Sequence, residues 1–512
     1  MKSSTIAKIS YVTLLSLGNS LLNFVFQLVI AKTFGAGTTT DAFFLAFSIP
    51  EWIMNITLFI VPVAVIPSLS GYVAKGEEEK AWRLTNGLIT LTVVVFGIIC
   101  AGLLIFNRPI STLVAGNLDR EGIEVFYSVS FFLVPVILIT TLSSILTALY
   151  YAFDRYFLPN MSPLIQTAVM IGGVIIFKHT LGIRSAALFI LIGNAVRLAI
   201  LVLFFKKRRL GLTKHVLNDE VKAILVLIVP LLIGNLILKS GVFVDRFFAS
   251  FLAAGSVTYI FYASRVTRLL ARLTSKGTYT VFFPQLSKAA AREDKGEFQT
   301  KIDDSMRLVM FIGFLVVGGV LLFASNILYV LFENRNFSTE DVIKTAIATK
   351  AMAGLLFAAP IGDIMNNIYY SVKDTRTPMI ISVIVFIVAV GLKLIMLKAW
   401  GYIGIAVGSS IEAVAVILIG LILLKRKLEN IRLRTFLKSL GQNLIAFICA
   451  GGAVFAMVWI LFSARPIFIG PKLSEFGVIF GLWLVFALIY LLINRGLKNH
   501  IAVSLLRAVK IK

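Results

Sequence analysis

Long apolar runs separated by short polar loops occupy nearly the whole chain. Runs near 9–32, 41–71, 86–106, 125–152, 160–178 and 184–205 are followed by a second group near 222–250, 256–285, 307–332, 343–371, 378–398 and 402–424, and by a last pair near 438–462 and 474–494. Each reaches the ~20 mostly apolar residues that carry a helix across a bilayer. The pattern therefore predicts an all-α integral membrane protein of about fourteen transmembrane helices. The opening MKSSTIAKIS puts Lys2 and Lys8 ahead of the first run without a small-residue cleavage site, which reads as an uncleaved first helix and not a signal peptide.

The runs repeat. SLGNSLLNF…AKTFGAGTTTDAFF corresponds to LIGNLILKS…ASFLAAGSVTYIFY, with Gly18 and Asn19 paired to Gly234 and Asn235, Gly37 to Gly255, and Phe43 and Phe44 to Phe261 and Tyr262. VIPSLSGYVAKGEE then corresponds to FFPQLSKAAAREDKGE, and Pro284 follows Pro67 by 217 positions. Six spans per repeat, an even number, make both halves enter the membrane from the same side. This is the arrangement of two lobes about an axis along the membrane normal that rock around a central site. The expected organisation is an N-terminal lobe at 1–215, a C-terminal lobe at 216–430, and two extra spans with a basic tail at 431–512.

Composition agrees with the pattern. Of 512 residues 59% are hydrophobic and only 14% charged, against about 25% charged in soluble domains, and the mean hydropathy is +0.94. A net charge of +24 would point to nucleic acid in a soluble protein. Here the basic residues crowd into short loops, so the charge reports topology. The KKRR run at 206–209, the KRK run at 425–427, Lys288, Arg292, Lys295, Arg432, Arg434, and Arg495, Lys498, Arg507, Lys510 and Lys512 of the tail all fall on one side, shared with the N-terminus. Both termini are therefore expected in the cytoplasm. Cys100 and Cys449 each lie inside an apolar run and read as buried small hydrophobes. His179, His215 and His500 are isolated, without metal-ligand spacing.

One segment breaks the oily pattern. In SRVTRLLARLTSKG, residues 264–277, Arg265, Arg268, Arg272 and Lys276 are spaced three, four and four apart, which puts all of them on one helical face. One charge at the bilayer centre costs at least about 2.5–3.5 kcal/mol, so four cannot face lipid. Either an eighth span turns this face to a water-filled cavity, or an amphipathic helix lies on the membrane surface. The apolar, aromatic flanks SVTYIFYA and TYTVFFPQL favour the cavity. Arginine's planar fork takes phosphate oxygens two at a time, so a diphosphate suits such a row better than a neutral molecule does.

Other ionisable groups inside the runs are Asp41, Glu51, Arg197, Lys239, Asp245, Arg246, Lys350, Asp363, Lys393 and Glu412. Asp41 opens the second span, where it either caps that helix or serves the cavity. Glu51 follows Pro50, a kink with an adjacent acid. Asp245 and Asp363 either pair with basic neighbours or act in transport. No GKS/T phosphate loop, nucleophile–base set or pair of catalytic acids is present. The chain reads as a transporter, driven by an ion gradient, the membrane potential or consumption of substrate on the far side.

The segments AKTFGAGTTTDAFFLAFSIP and VDRFFASFLAAGSVTYIFYASRV resemble the signature segments of the MurJ/MviN lipid II flippase family, within the multidrug/oligosaccharidyl-lipid/polysaccharide exporter superfamily. The resemblance runs over essentially the whole chain. It implies fourteen spans in two lobes plus two helices, an inner-membrane location, and a polyprenyl-diphosphate glycolipid carried through a cationic cavity. Residue by residue, the family's eighth-span arginine corresponds to Arg265 and its second-span aspartate to Asp41. Its first-span arginines fall on Ser20 and Phe26, and its second-span arginine near Met54 or Asn55, so those cations are missing here. Arg268, Arg272 and Lys276 are expected to supply from the C-terminal lobe what the N-terminal lobe lacks. Some members of the family resemble sodium-coupled transporters. Asp245 matches their seventh-span acid, but the eleventh-span positions hold Ala389 and Lys393. A lysine there would serve Asp245 as a built-in cation, which argues against sodium and leaves proton or potential coupling open.

The expected substrate contacts are thus Arg265, Arg268, Arg272, Lys276, Asp41 and Glu51, with Asp245 and Lys393 as the coupling pair and no cofactor. The leading function is translocation of a polyprenyl-diphosphate-linked saccharide, with lipid II as the foremost cargo. The alternative is export of another lipid-linked glycan, such as an exopolysaccharide or O-antigen repeat unit. A scaffold for envelope synthesis would tolerate neutralisation of the cavity charges. A multidrug exporter would need a less basic cavity centred on an acid.

Overall fold

The computed structural model describes residues 3–205, 210–292, 294–372, 374, 376–427, 433–462 and 472–510. Lys2, the 206–209 run, Arg432 and Lys512 lie outside the described residues. Among the described residues there are eighteen α-helices and no β-strand.

The helices gather in two compact units. The first spans Met1–Thr258 with Asn334–Phe337. It holds α1 (Ser3–Phe34), α2 (Thr38–Ala74), α3 (Glu78–Ile105), α4 (Asn107–Val114), α5 (Arg120–Leu133), α6 (Val136–Ala152), α7 (Phe157–Leu181), α8 (Arg184–Leu203), α9 (Asp219–Leu238), α10 (Gly241–Ala249) and the first three residues of α11 (Ser256–Ala291). Its core packs Trp82 of α3, Leu149 and Tyr150 of α6, Leu201 of α8, Phe205, and Val221 of α9. The unit runs past residue 215 because α9 and α10 are fastened to α2: the Trp52 indole N–H donates to the Leu236 carbonyl at 3.1 Å, and the Trp52 and Phe243 rings stack.

The second unit spans Tyr259–Glu333 and Ser338–Lys512. It holds the rest of α11, α12 (Lys295–Phe332), α13 (Thr339–Ala351), α14 (Ala353–Ser371), α15 (Arg376–Lys427), α16 (Leu433–Phe462), α17 (Lys472–Gly496) and α18 (His500–Lys510). One core joins α12, α14 and the second arm of α15; another joins α12 to α16, α17 and α18. α17 approaches α12 closely at Gly318 and Gly319, where a Cβ would meet the Phe486 ring at 2.2 Å and the Trp483 indole at 2.8 Å. Cys100 is buried as expected, whereas Cys449 is exposed on α16, which packs through one face only.

α15 is a hairpin. Lys393 Nζ and Glu412 Oε2 are 2.8 Å apart, whereas a separation of 19 positions would extend roughly 28 Å along a straight helix. The chain reverses at Gly401, with φ 57° and ψ −136°, a region that a side chain makes costly. In the first unit α7 and α8 are joined at Gly182, with φ 55° and ψ −140°. Gly401 follows Gly182 by 219 positions. The buried Tyr150 hydroxyl donates to the Leu201 carbonyl at 3.0 Å, and that of Tyr369 to the Gly420 carbonyl at 2.8 Å. Those partners too are 219 positions apart, so the two units share this local construction.

Among the described residues eleven helices are long and apolar enough to cross a membrane, and α13 with α14, bent by 44°, makes a twelfth as a pair. The expected count of fourteen is not reached by length and apolarity: it also takes the basic α11 as a span and counts the two arms of α15 apart.

Candidate functional site

Asp41 lies in the first turn of α2, yet its carboxylate serves α11. It is 2% exposed and accepts from the Gly255 amide at 2.7 Å, the Thr258 amide at 2.8 Å and the Thr258 hydroxyl at 2.5 Å. The first amides of a helix have no partner within it and carry the positive end of its dipole. Asp41 thus does from α2 what an N-cap side chain does within its own helix. α2 itself begins after Gly37 without a side-chain cap, so the capping expected for Asp41 is made to a different helix.

Glu51, one residue past Pro50, is ion-paired. Its Oε2 lies 2.6 Å from Arg246 Nη2, and Arg246 Nη1 donates to the Phe44 carbonyl at 3.3 Å. Arg246 is 1% exposed and Glu51 8%. A buried charge is tolerable only when paired and hydrogen-bonded, so this pair fixes α10 against α2 beside Pro50. Sequence reasoning noted Arg246 but gave it no role; its partner is 195 positions away, beyond any local pattern. Asp245 beside it is buried as well.

The basic stripe occupies α11. Tyr262, Ala263, Val266 and Thr267 are buried on one side of the helix, while Arg265 and Arg268 are half-buried and Arg272 and Lys276 exposed. The Arg265 guanidinium lies 4.9 Å from the centre of the buried Phe261 ring, one turn earlier. A cation beside an aromatic ring is attracted without being neutralised, so its charge stays available to an anion. The four cations are thus graded in burial: two half-buried, then two exposed.

Lys393 is 1% exposed and takes a carboxylate from the other arm of its own hairpin, Glu412. These α15 positions do not fit a sodium ligand set: Ala389 offers no side-chain oxygen, and the buried Lys393 ammonium is itself the cation that Glu412 neutralises. At the positions where the resemblance expects further arginines, Ser20 donates to the Ser16 carbonyl and Phe26 is buried.

Residues 30–468 match the family described as lipid II flippase MurJ. The chain belongs to that family. It is 26% identical over 428 residues, 81% of this chain and 80% of the relative, to a probable lipid II flippase MurJ of Bdellovibrio bacteriovorus. Its fold is similar to that of a lipid II flippase MurJ in an inward closed conformation, with a TM-score of 0.79 at 20% identity over 97% of this chain and 99% of that one. It is also similar to an inward-facing multidrug resistance transporter of the MATE family in the MOP superfamily, with a TM-score of 0.68 at 14% identity over 80% and 94%. Membership of the MurJ family makes the chain a membrane transporter and not an enzyme.

Proposed function

We propose that this member of the MurJ family translocates lipid II across the bacterial inner membrane by alternating access. Fourteen crossings form two six-helix lobes and two further helices, with both termini in the cytoplasm. The head group enters between the lobes, its diphosphate meets the α11 cations, and the isoprenoid tail stays in the bilayer. Rocking of the lobes then exposes the saccharide outside.

The observation that carries this reading is the placement of Arg265 and Arg268, half-buried on α11 in a chain of this family. Charge-assisted contacts to phosphate are worth about 1.5–3 kcal/mol each, which holds a diphosphate while still allowing release. Asp41 fits a latch: parting α2 from the first turn of α11 breaks the bonds to Gly255 and Thr258 together. Glu51, engaged with Arg246, acts on the path as a brace. Asp245 and Lys393 remain the coupling pair, linked to proton or potential.

The test is flipping by the purified chain in vesicles, with defined lipid-linked saccharides. Lipid II should move, and an analogue with a single phosphate should move at least about tenfold more slowly. Equal rates for both, or transport of another lipid-linked glycan in preference to lipid II, would overturn the assignment.

A further inference from the structure

The second unit holds a basic cavity of about 510 Å³ formed by α12, α16, the turn after α17, and α18. Arg307, Lys438, Lys498 and Arg507 line it together with the polar side chains of Ser439 and Gln442, and no carboxylate is among its lining residues. Its size is that of a small-ligand site, and four cations with no carboxylate among the described lining residues call for an anion.

Beside the cavity α16 is hydrogen-bonded to α17. Fully buried Tyr490 donates its hydroxyl to Asn443 Oδ1 at 2.6 Å, Asn443 donates to the Ser439 carbonyl at 2.8 Å, and Gln442 donates to the Leu497 carbonyl at 2.6 Å. These bonds fix α16 to the end of α17. Lys498 follows in a left-handed backbone conformation, φ 57°, one of two non-glycine residues with positive φ among the described residues. Such a conformation is costly for a residue with a side chain, and this lysine lines the cavity.

Position names the source of the anion. Lys438 stands five residues into the span Arg434–Ile460, and Lys498 two residues beyond the span Ser474–Gly496, so the cavity lies at the membrane boundary. α18 is amphipathic: Ala502 is buried in the core while Leu505 is 46% exposed, and Leu437, next to Lys438, is 60% exposed. A phosphate among the cations would have apolar surface beside it for acyl chains. Basic pockets between membrane helices at this depth bind phospholipid headgroups.

We infer that this cavity binds the headgroup phosphate of an anionic phospholipid, at a site made of other residues than the α11 stripe. The experiment uses the full chain in detergent and reads thermal unfolding against dihexanoyl-phosphatidylglycerol, dihexanoyl-phosphatidylcholine and inorganic phosphate. Phosphatidylglycerol should stabilise the protein in a saturable way. Lys438→Gln with Arg507→Gln should weaken that binding by about tenfold or more, each lost charged contact being worth about 1.5–3 kcal/mol, and Lys438→Arg with Arg507→Lys should retain it. If the double glutamine variant does not fold, Lys498→Gln, at an exposed rim position, gives the same reading. Equal binding of phosphatidylcholine, or wild-type affinity in the glutamine variants, would overturn the site. Inorganic phosphate binding as tightly as phosphatidylglycerol would overturn the lipid source in favour of a free anion. None of these readouts depends on flipping, so a failure here is separable from a failure of the α11 proposal.

Discussion

Arg246 and Glu51 meet at 2.6 Å in the interior of the first unit, although 195 positions separate them. Each charge makes the other's burial tolerable, and together they tie α10 to α2 beside Pro50. Removing one partner of such a pair costs about 3–5 kcal/mol, whereas replacing both by apolar groups can be neutral. Glu51→Gln should therefore lower the unfolding temperature in detergent sharply, and Glu51→Leu with Arg246→Met should recover most of the loss. A Glu51→Gln protein as stable as wild type would remove the brace.

Asp41 should be felt at α11 and not at its own helix. Asp41→Ala leaves the Gly255 and Thr258 amides without their acceptor, at about 1–3 kcal/mol. Hydrogen exchange at these two amides should quicken by roughly 10- to 100-fold, and flipping should fall with it. Unaltered exchange there would separate Asp41 from the latch.

The stripe should be unequal. Arg265→Gln with Arg268→Gln should abolish rescue of a cell depleted of its lipid II flippase. Arg272→Gln with Lys276→Gln should reduce rescue only partly, because open side chains form weaker, screened contacts. Equal effects from both pairs would remove the grading.

Gly401→Ala should destabilise the protein by about 1–3 kcal/mol, since φ 57° with ψ −136° is reserved for glycine. Gly391→Ala, on the same helix with nothing within 4 Å of the added Cβ, should be neutral or slightly stabilising. The comparison of the two unfolding midpoints checks the hairpin.

Asp374, between α14 and α15, gives a pH signature. Burial alone would raise its pKa, but the Lys427 ammonium at 2.6 Å and hydrogen bonds from Thr377 hold the carboxyl well below the usual range. A lowered folded-state pKa gives stability that is present above the unfolded value, about 3.9 for aspartate, and fades as the pH falls below it. Asp374→Asn should cost about 1 kcal/mol at pH 7, Lys427 being half-exposed. The gap from wild type should narrow below pH ~4; a gap independent of pH would contradict the pairing.

Much of this protein was legible in its chain. Apolar runs of bilayer length need no tertiary information, because every backbone polar group in lipid must be satisfied within its own helix. The spacing of Arg265, Arg268, Arg272 and Lys276 fixed their common face by helical geometry alone, and the signature segments carried the family. Local spacing does not reach across the fold. It could not show that Asp41 caps α11, that Glu51 is held by Arg246, that Lys393 turns to Glu412 across a hairpin, or that Arg307, Lys438, Lys498 and Arg507 converge. Such partners are chosen by which helices pack together, since the energy that selects them, the desolvation of a buried charge, exists only once neighbouring helices have excluded the solvent.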